Sequence, residues 1–330
     1  MHYQESKAIY EEIKKAKKIL TNCHQSPDWD SVASALAIKH ALEGLGKDVT
    51  IVSPEPIPNP EIYLSGAGDI KTIDFATYPF ANHDLFLLLD IAQRERLTGS
   101  KTTPQPPGIR TIVIDHHPDN TLDGQIKLVH PEESSTASIL YKLFLDIGFA
   151  VSSQLATDLF TGIVGDTLFF KTHNTTPETF HIASDLLKLG ADKDLVTKLM
   201  FNSYDQNMVN LLGVIFQNTT VDKIGRFAWS AIDYTTYQKL AKPPEARSIA
   251  LDSFVNSIKD IRFSFVVLEY DMNRTAVSFR SDGDVDVSQL AQKLGGGGHK
   301  MASAARIEGK FEEVVKKVLQ TAREFGQEKR

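Results

Sequence analysis

Three polar side chains stand in a row at Asp115-His116-His117, directly after the apolar, β-branched run Thr111-Ile112-Val113-Ile114. Such a run reads as a buried strand, and Pro118 stops it from continuing inside a sheet. Two other apolar segments end in the same way. Residues 18–23 run into His24, with Asp28 and Asp30 close behind, and residues 85–89 finish on Asp90. In open α/β sheets, ligand chemistry collects beyond the carboxyl ends of the strands. If the three strands are parallel neighbours, then His24, Asp28, Asp30, Asp90, Asp115, His116 and His117 meet at one sheet edge. So many carboxylates repel one another unless cations neutralise them. Imidazole with several carboxylates and no thiolate cage suits Mn2+ or Mg2+ better than structural zinc. A pair of ions about 3.5–4 Å apart needs a carboxylate that bridges them. Asp90, between the other two clusters in sequence, is the candidate. Taken singly, each aspartate is an ordinary turn former. Their joint occurrence at strand ends is what argues for metal.

The elements that must position these groups alternate. Residues 5–16 have Ile9 and Ile13 at helical spacing, and residues 32–45 form an Ala- and Leu-rich helix that Gly44 and Gly46 end. A strand covers 49–52, and Pro54, Pro58 and Pro60 mark an irregular connection. Ser134-Ser135-Thr136 caps a helix running to Asp146, and a further helix over 154–164 delivers Gly165-Asp166-Thr167. Thr175 and Glu178 have capping-box spacing for a helix ending near Gly190. Strands alternating with helices predict an α/β fold: an N-terminal mainly parallel sheet flanked by helices, over residues 1–194. Residues 195–216 read as one linking helix. Residues 217–330 read as a smaller C-terminal α/β domain of mixed sheet, with strands at 227–232, 263–270, 275–281 and 302–307. There Asp286 and Gln289 have capping-box spacing, and Phe311, Val314, Val315, Val318, Leu319 and Ala322 give a final helix one apolar face.

Composition narrows the functional classes. The 330 residues suffice for two domains with a well-buried core. A net charge of −6 argues against loose, phosphate-driven binding to long nucleic acid, although bound cations can reverse the local field for short anions. No apolar run reaches the roughly 18 residues that span a membrane. The polar opening Met1-His2-Tyr3-Gln4-Glu5 gives no sign of a signal peptide. The lone cysteine, Cys23, excludes an internal disulfide and fits a reducing cytoplasm.

At this point the chain resembles a known family. His24-Gln25-Ser26-Pro27-Asp28-Trp29-Asp30, Asp90, Asp115-His116-His117 and Gly162-Ile163-Val164-Gly165-Asp166-Thr167 resemble, in order and spacing, the four motifs of the DHH phosphoesterases. Gly295-Gly296-Gly297-Gly298-His299, with Val277-Ser278-Phe279-Arg280-Ser281, resembles the DHH-associated C-terminal domain. Within the family the likeness is to the NrnA-type branch, exonucleases of the oligoribonuclease type that degrade very short RNAs and dephosphorylate pAp.

The resemblance implies two Mn2+ ions, with Mg2+ as the alternative. It puts His24, Asp28 and Asp90 on one ion, and Asp30, Asp90, His116 and Asp166 on the other. His117 would face the scissile phosphate, Asp115 would orient the neighbouring imidazoles, and a metal-activated water would attack phosphorus. Glycines can aim successive N–H groups at an anion, so Gly296, Gly297 and Gly298, with His299 and Arg280, would grip a substrate phosphate. The expected partners are short RNA, dinucleotides and pAp, with no long nucleic acid and no membrane. A homodimer accords with the family. A dedicated cyclic-di-AMP or pApA phosphodiesterase, and a nucleotide-sensing protein without catalysis, are the alternatives. Three positions depart from the family: Trp29 and Leu168 stand where glycine is usual, and Met301-Ala302-Ser303-Ala304-Ala305 lacks the usual glycine.

Overall fold

The computed structural model describes residues 2–59, 61–202, 204–243, 246–253, 257–281, 283–298 and 300–328. It divides into two compact units, Met1–Ser203 and Tyr204–Arg330.

The first unit is built on a parallel sheet of six strands in the order β3-β2-β1-β4-β5-β6. These are β1 (Lys18–Asn22), β2 (Asp48–Ser53), β3 (Lys71–Thr72), β4 (Leu85–Leu89), β5 (Arg110–Asp115) and β6 (Ile126–Val129). The helices are α1 (Ser6–Lys15), α2 (Trp29–Glu43), α3 (Arg94–Thr98), α4 (Thr136–Asp146), α5 (Ser153–Asp166), α6 (Pro177–Lys188) and α7 (Lys193–Phe201). Strand order reverses between β1 and β4, and such a switch point opens a crevice at the carboxyl ends of the two strands. Alternation along β4 sends Leu85, Leu87 and Leu89 into the core under the long helices, and Phe86 and Leu88 into a smaller core with Phe75, Phe80 and Leu97. Both faces are thus dry, which is why β4 and β5 read as unbroken apolar runs. Each such leucine contributes on the order of 1.5–3 kcal/mol by burial.

The structure adds one strand and corrects two local expectations. The strand β6 was not foreseen, because a four-residue edge strand with the burial pattern intermediate, exposed, buried, intermediate carries little periodicity. The single helix expected over 195–216 is two helices, α7 and α8 (Gln206–Gln217); the Asp205 side chain accepts from the Met208 N–H and starts the second afresh. The α6 cap falls one residue later than expected. Thr176 accepts from the Thr179 N–H at 3.3 Å and Thr179 Oγ1 from the Thr176 N–H at 3.1 Å, since Pro177 occupies the first helical position.

Asp146, the last residue of α4, ties down the start of the chain. Its Oδ1 accepts from the His2 N–H at 2.6 Å, and its Oδ2 from the Tyr3 N–H at 2.9 Å and the Ser6 hydroxyl at 2.7 Å. Burial works against its charge, but these donors outweigh burial and bring its pKa down to about 2. A carboxyl depressed in the fold stabilises above its unfolded pKa and loses that contribution as pH falls through the folded value. Asp146→Ala should therefore cost about 1–3 kcal/mol at neutral pH. In chemical denaturation the gap to wild type should close between about pH 4 and pH 2; a gap constant across that window would contradict the clamp.

The second unit carries a mixed sheet in the order β11-β12-β10-β9-β8-β7, with only β8 and β9 parallel among its described pairs. The strands are β7 (Thr220–Asp222), β8 (Phe227–Ile232), β9 (Phe263–Asp271), β10 (Arg274–Ser281), β11 (Gly297–Gly298) and β12 (Ala302–Glu308). Beside α8 stand α9 (Tyr234–Lys239), α10 (Ala246–Ser253), α11 (Val287–Lys293) and α12 (Phe311–Glu328). One face packs Val277, Phe279, Leu290, Val314 and Val318 together, and the other packs Val266 and Leu268 under Ala246, Ala250 and Leu211. The N-cap of α11 is Asp286, which accepts from the Ser288 N–H and also holds the Gln289 side chain. Among the described residues no helix is long and apolar enough to cross a membrane.

Candidate metal centre

The crevice between β1 and β4 gathers the chemistry-bearing residues. The His24 N–H donates to Ser31 Oγ at 3.1 Å, and the ring Nδ1 lies 3.0 Å from the Gln25 carbonyl. A carbonyl only accepts, so Nδ1 carries a proton and Nε2 is turned toward carboxylates, as a metal-ligating histidine requires. Nε2 stands 3.3 Å from Asp28 Oδ2 and 3.6 Å from Asp90 Oδ2. Asp28 is the N-cap of α2: its Oδ1 accepts from the Ser31 N–H at 3.0 Å, leaving Oδ2 for His24. Asp90 follows β4 with φ +53°, a left-handed conformation that aspartate tolerates better than most residues. That turn, at the switch point, lets one buried carboxylate face both neighbouring strands.

On its other side, Asp90 Oδ1 lies 3.5 Å from His116 Nε2 and 3.9 Å from His117 Nδ1. His116 Nε2 is also 3.6 Å from Asp166 Oδ2, at the end of α5. Asp115, fully buried, accepts from the His116 N–H at 2.9 Å, from His117 Nδ1 at 2.7 Å and from Asn120 Nδ2 at 2.7 Å. It fixes the His117 ring and the His116 backbone. Two groups with ligand atoms mutually within 4.8 Å result, His24-Asp28-Asp90 and Asp90-His116-His117, and both contain Asp90.

Asp30 belongs to neither group. Its Oδ2 accepts from the Thr136 N–H at 2.7 Å, and its Oδ1 from the Ala137 N–H at 3.1 Å and the Ser34 hydroxyl at 3.1 Å. The N-terminus of α4 therefore points its unpaired N–H groups, and its positive end, at this carboxylate. Thr136 Oγ1 reaches on to Asp90 Oδ1 at 3.1 Å. The helix start thus anchors two of the acidic groups.

Charge explains why these groups suit cations. Burial works against a proton on His24, but Asp28 and Asp90 outweigh it and push the pKa up to about 10. Burial likewise opposes a proton on His117, yet its Asp115 hydrogen bond and the Asp90 charge lift it to about 9. Burial raises Asp30 and Asp166 well above the carboxylate range, and the charge of Asp90 raises both further. A pocket in which some carboxyls must take protons while imidazoles hold theirs is one that divalent cations neutralise, with release of those protons.

Arg96, Asn120 and Asn174, and the contact of Thr136 with Asp90, had no signal in the sequence. Arg96 Nη2 lies over the His24 ring, 3.0 Å from Nδ1 and 3.2 Å from Nε2. Asn120 and Thr136 steady Asp115 and Asp90. Asn174 Nδ2 bonds the Ser134 carbonyl at 2.8 Å and stands 3.5 Å from Asp166 Oδ2. Trp29 is half-buried against α5, its Cβ pressed on Gly165. Leu168, 47 % exposed, has φ +46° and starts three left-handed residues with Phe169 and Phe170, a conformation that suits the glycine usual there.

Close approach of α5 to this centre depends on a missing side chain. A Cβ on Gly162 would fall 2.5 Å from Asp30 Oδ1 and 2.6 Å from the Ala137 Cβ. Gly162→Ala should push Asp30 off the α4 N-terminus, lower stability by about 1–3 kcal/mol and weaken cation uptake measured by calorimetry. Unchanged melting and uptake would show that the contact is not tight.

In the second unit, the glycine run is folded differently from the expected anion nest. Gly295, at φ +79°, ends α11, and the Gly296 N–H is spent on the Ala291 carbonyl at 2.8 Å. Gly297 and Gly298 pair with Ala304 and Ser303. Glycine is required because a Cβ on Gly298 would sit 2.6 Å from the Ser303 Cα. Arg280 lies half-buried on β10, and His299 falls outside the described residues.

Known proteins resemble this chain over its length. The model of the DHH family, N-terminal domain, matches residues 18–163, and that of the DHHA1 domain matches residues 233–328. The bifunctional oligoribonuclease and PAP phosphatase NrnA of Thermus thermophilus is 30% identical, covering 98% of this chain and 95% of that protein. The Bacillus subtilis protein of the same name is 31% identical, over 88% of this chain and 89% of its own. A crystal structure of an exopolyphosphatase-related protein from Bacteroides fragilis superposes with a TM-score of 0.91 at 27% identity, covering 98% of this chain and 97% of that one.

Proposed function

The chain belongs to the DHH family of phosphoesterases, and on that premise we propose that it hydrolyses very short oligoribonucleotides such as pApA, and pAp, with Mn2+. The observation that carries this reading is the Asp90 carboxylate, with one oxygen 3.6 Å from His24 Nε2 and the other 3.5 Å from His116 Nε2. His24, Asp28 and Asp90 would hold one ion. Asp90, His116 and Asp166 would hold the second, joined by Asp30 through the one Oδ2 lone pair that its bonds to α4 and Ser34 leave free. When bound, such a pair supplies Lewis acidity and an acidified water at neutral pH.

The chain's own residues do the rest. Asp115 takes one nitrogen of His117 at 2.7 Å. The other nitrogen of that ring, 26 % exposed at its side chain, is free to donate to a phosphoryl oxygen as charge builds there. Arg280 and His299 would bind a substrate phosphate. The activities for which two relatives are named and the net charge of −6 favour short substrates over long strands, and the donor set favours anionic ones. The single buried cysteine supports a reducing, cytoplasmic setting.

A substrate panel tests the reading: initial rates on pAp, pApA, cyclic di-AMP and a long RNA, with Mn2+, Mg2+ or a chelator. Turnover of pApA and pAp with Mn2+, and loss of it with chelator, is expected. Preference for the long RNA, or chelator-resistant turnover, would overturn it.

A further inference from the structure

Two bulky apolar side chains stand among the acidic groups of the metal centre, and the hydrolytic chemistry leaves both without a task. Trp29 lies between Asp28 and Asp30, at the first position of α2, and Leu168 follows Asp166 by two residues, just past α5. Successive Cα atoms are about 3.8 Å apart, so each side chain starts within roughly 8 Å of a proposed metal ligand on the same unit. Both border one helical turn. A Cβ on Gly165 would overlap the Trp29 Cβ and stand 3.2 Å from its Cγ, and the Leu168 N–H returns to the Gly165 carbonyl at 3.2 Å. The root of the indole is thus fixed against α5, one residue before Asp166.

Neither residue is fully used by the core. Trp29 packs on it and remains half-exposed. Leu168 is 47 % exposed, and its φ of +46° is a left-handed conformation that strains a residue with a Cβ. Strain kept where the fold gains little from the side chain points to function. The apolar surface continues away from the centre. Phe169 meets Phe201 and Phe170 meets Phe180, each pair with ring centroids 4.8 Å apart, and Phe180 and Phe201 are exposed. A contiguous apolar patch of this kind marks a binding surface. A partner protein seated there would close the crevice through which a phosphate ester reaches the acidic groups. A nucleotide whose phosphate lies on those groups carries its base only one ribose away, and a base stacks on any flat apolar face without matched donors or acceptors.

We propose that Trp29 and Leu168 form a stacking surface for the base of the nucleotide whose phosphate lies on the metal centre, and that it favours purines, whose larger face covers more of the indole. This rests on the phosphohydrolase reading above and names what that site recognises besides phosphate. Both residues belong to the first unit, so the surface is complete within it. Trp29 supplies the fixed aromatic face, and Leu168 borders it on the side of Asp166.

Full-length wild type, Trp29→Ala, Trp29→Phe and Leu168→Gly should be compared on pAp, on pUp and on ribose 3,5-bisphosphate, the abasic analogue. In Trp29→Ala the KM for pAp should rise about tenfold or more, as loss of one base–aromatic stack does, with little change in kcat. Trp29→Phe should stay within threefold of wild type, and the KM for the abasic analogue should move less than threefold in every variant. Leu168→Gly should raise the KM for pAp at least threefold without lowering the melting temperature, because glycine accepts the left-handed backbone. Wild type should have a lower KM for pAp than for pUp. An unchanged KM for pAp in Trp29→Ala, or an equal rise on the abasic analogue, would overturn the proposal, the second because Trp29 would then only position Asp28 and Asp30. If wild type hydrolyses none of these compounds, the phosphohydrolase reading fails, and fluorescence decides the stacking surface. The chain has two tryptophans, so Trp29 is the sole indole of full-length Trp229→Phe. Quenching of its emission by pAp with Mg2+, and none by ribose 3,5-bisphosphate, would support stacking; no quenching, or equal quenching by both, would refute it.

Discussion

Asp90→Asn should abolish nucleotide hydrolysis, with a rate loss of about a thousandfold or more. That corresponds to ~4 kcal/mol of transition-state stabilisation. Asparagine keeps the size of aspartate and its capacity to accept from the Thr136 hydroxyl, now 3.1 Å from Oδ1. It loses the charge that faces His24 on one side and His116 on the other. A bridging position needs two anionic oxygens, and an amide offers only one weak donor atom to a cation. The melting temperature without metal should fall, because the imidazoles of His24, His116 and His117 hold the Asp90 carboxyl in its charged form and lose that partner. Calorimetry should find the number of bound Mn2+ ions reduced. Activity within tenfold of wild type in this variant would refute the bridging role.

The second large effect concerns His117. His117→Ala should lower kcat by about a hundred- to a thousandfold, the range for a group that donates to charge developing in the transition state. Metal stoichiometry should be retained, since His24, Asp28, Asp90 and His116 remain. Asp115→Asn is the paired control. Its carboxylate fixes His117 through Nδ1 at 2.7 Å and the His116 N–H at 2.9 Å. Loss of such an outer partner costs about 10–100-fold, less than loss of the imidazole itself. Equal losses in the two variants would mean that His117 acts only through its position. A loss of one bound ion in His117→Ala would make it a ligand, as its place beside Asp90 and His116 allows.

Much of this centre could be read from the chain because its groups end strands. A strand buried on both faces, such as Leu85–Leu89, is a continuous apolar run, and the residue that follows it marks a carboxyl end of the sheet. Parallel alternation then puts Asp90 beside the His24 and Asp115 ends, as the pairing of β1 with β4 and of β4 with β5 bears out. What the sequence did not carry are contacts between positions far apart. Arg96 meets His24 across 72 residues, and the Thr136 N–H meets Asp30 across 106. No periodicity encodes either. The ends of elements were also misjudged where one residue overrode the pattern: Pro177 moved a cap to Thr176, and Asp205 began a new helix inside an expected arm. The glycine run shows a further limit. A sequence of four glycines is compatible with an anion nest and with an edge strand, and backbone crowding at β12 selected the strand.

The most direct measurement is anomalous X-ray scattering from crystals of this protein grown with Mn2+. Two peaks are expected, about 3.5–4 Å apart, one beside His24 and Asp28, the other beside His116 and Asp166, with Asp90 between them. No peak at these side chains, or a single ion that does not touch Asp90, would contradict a two-cation centre.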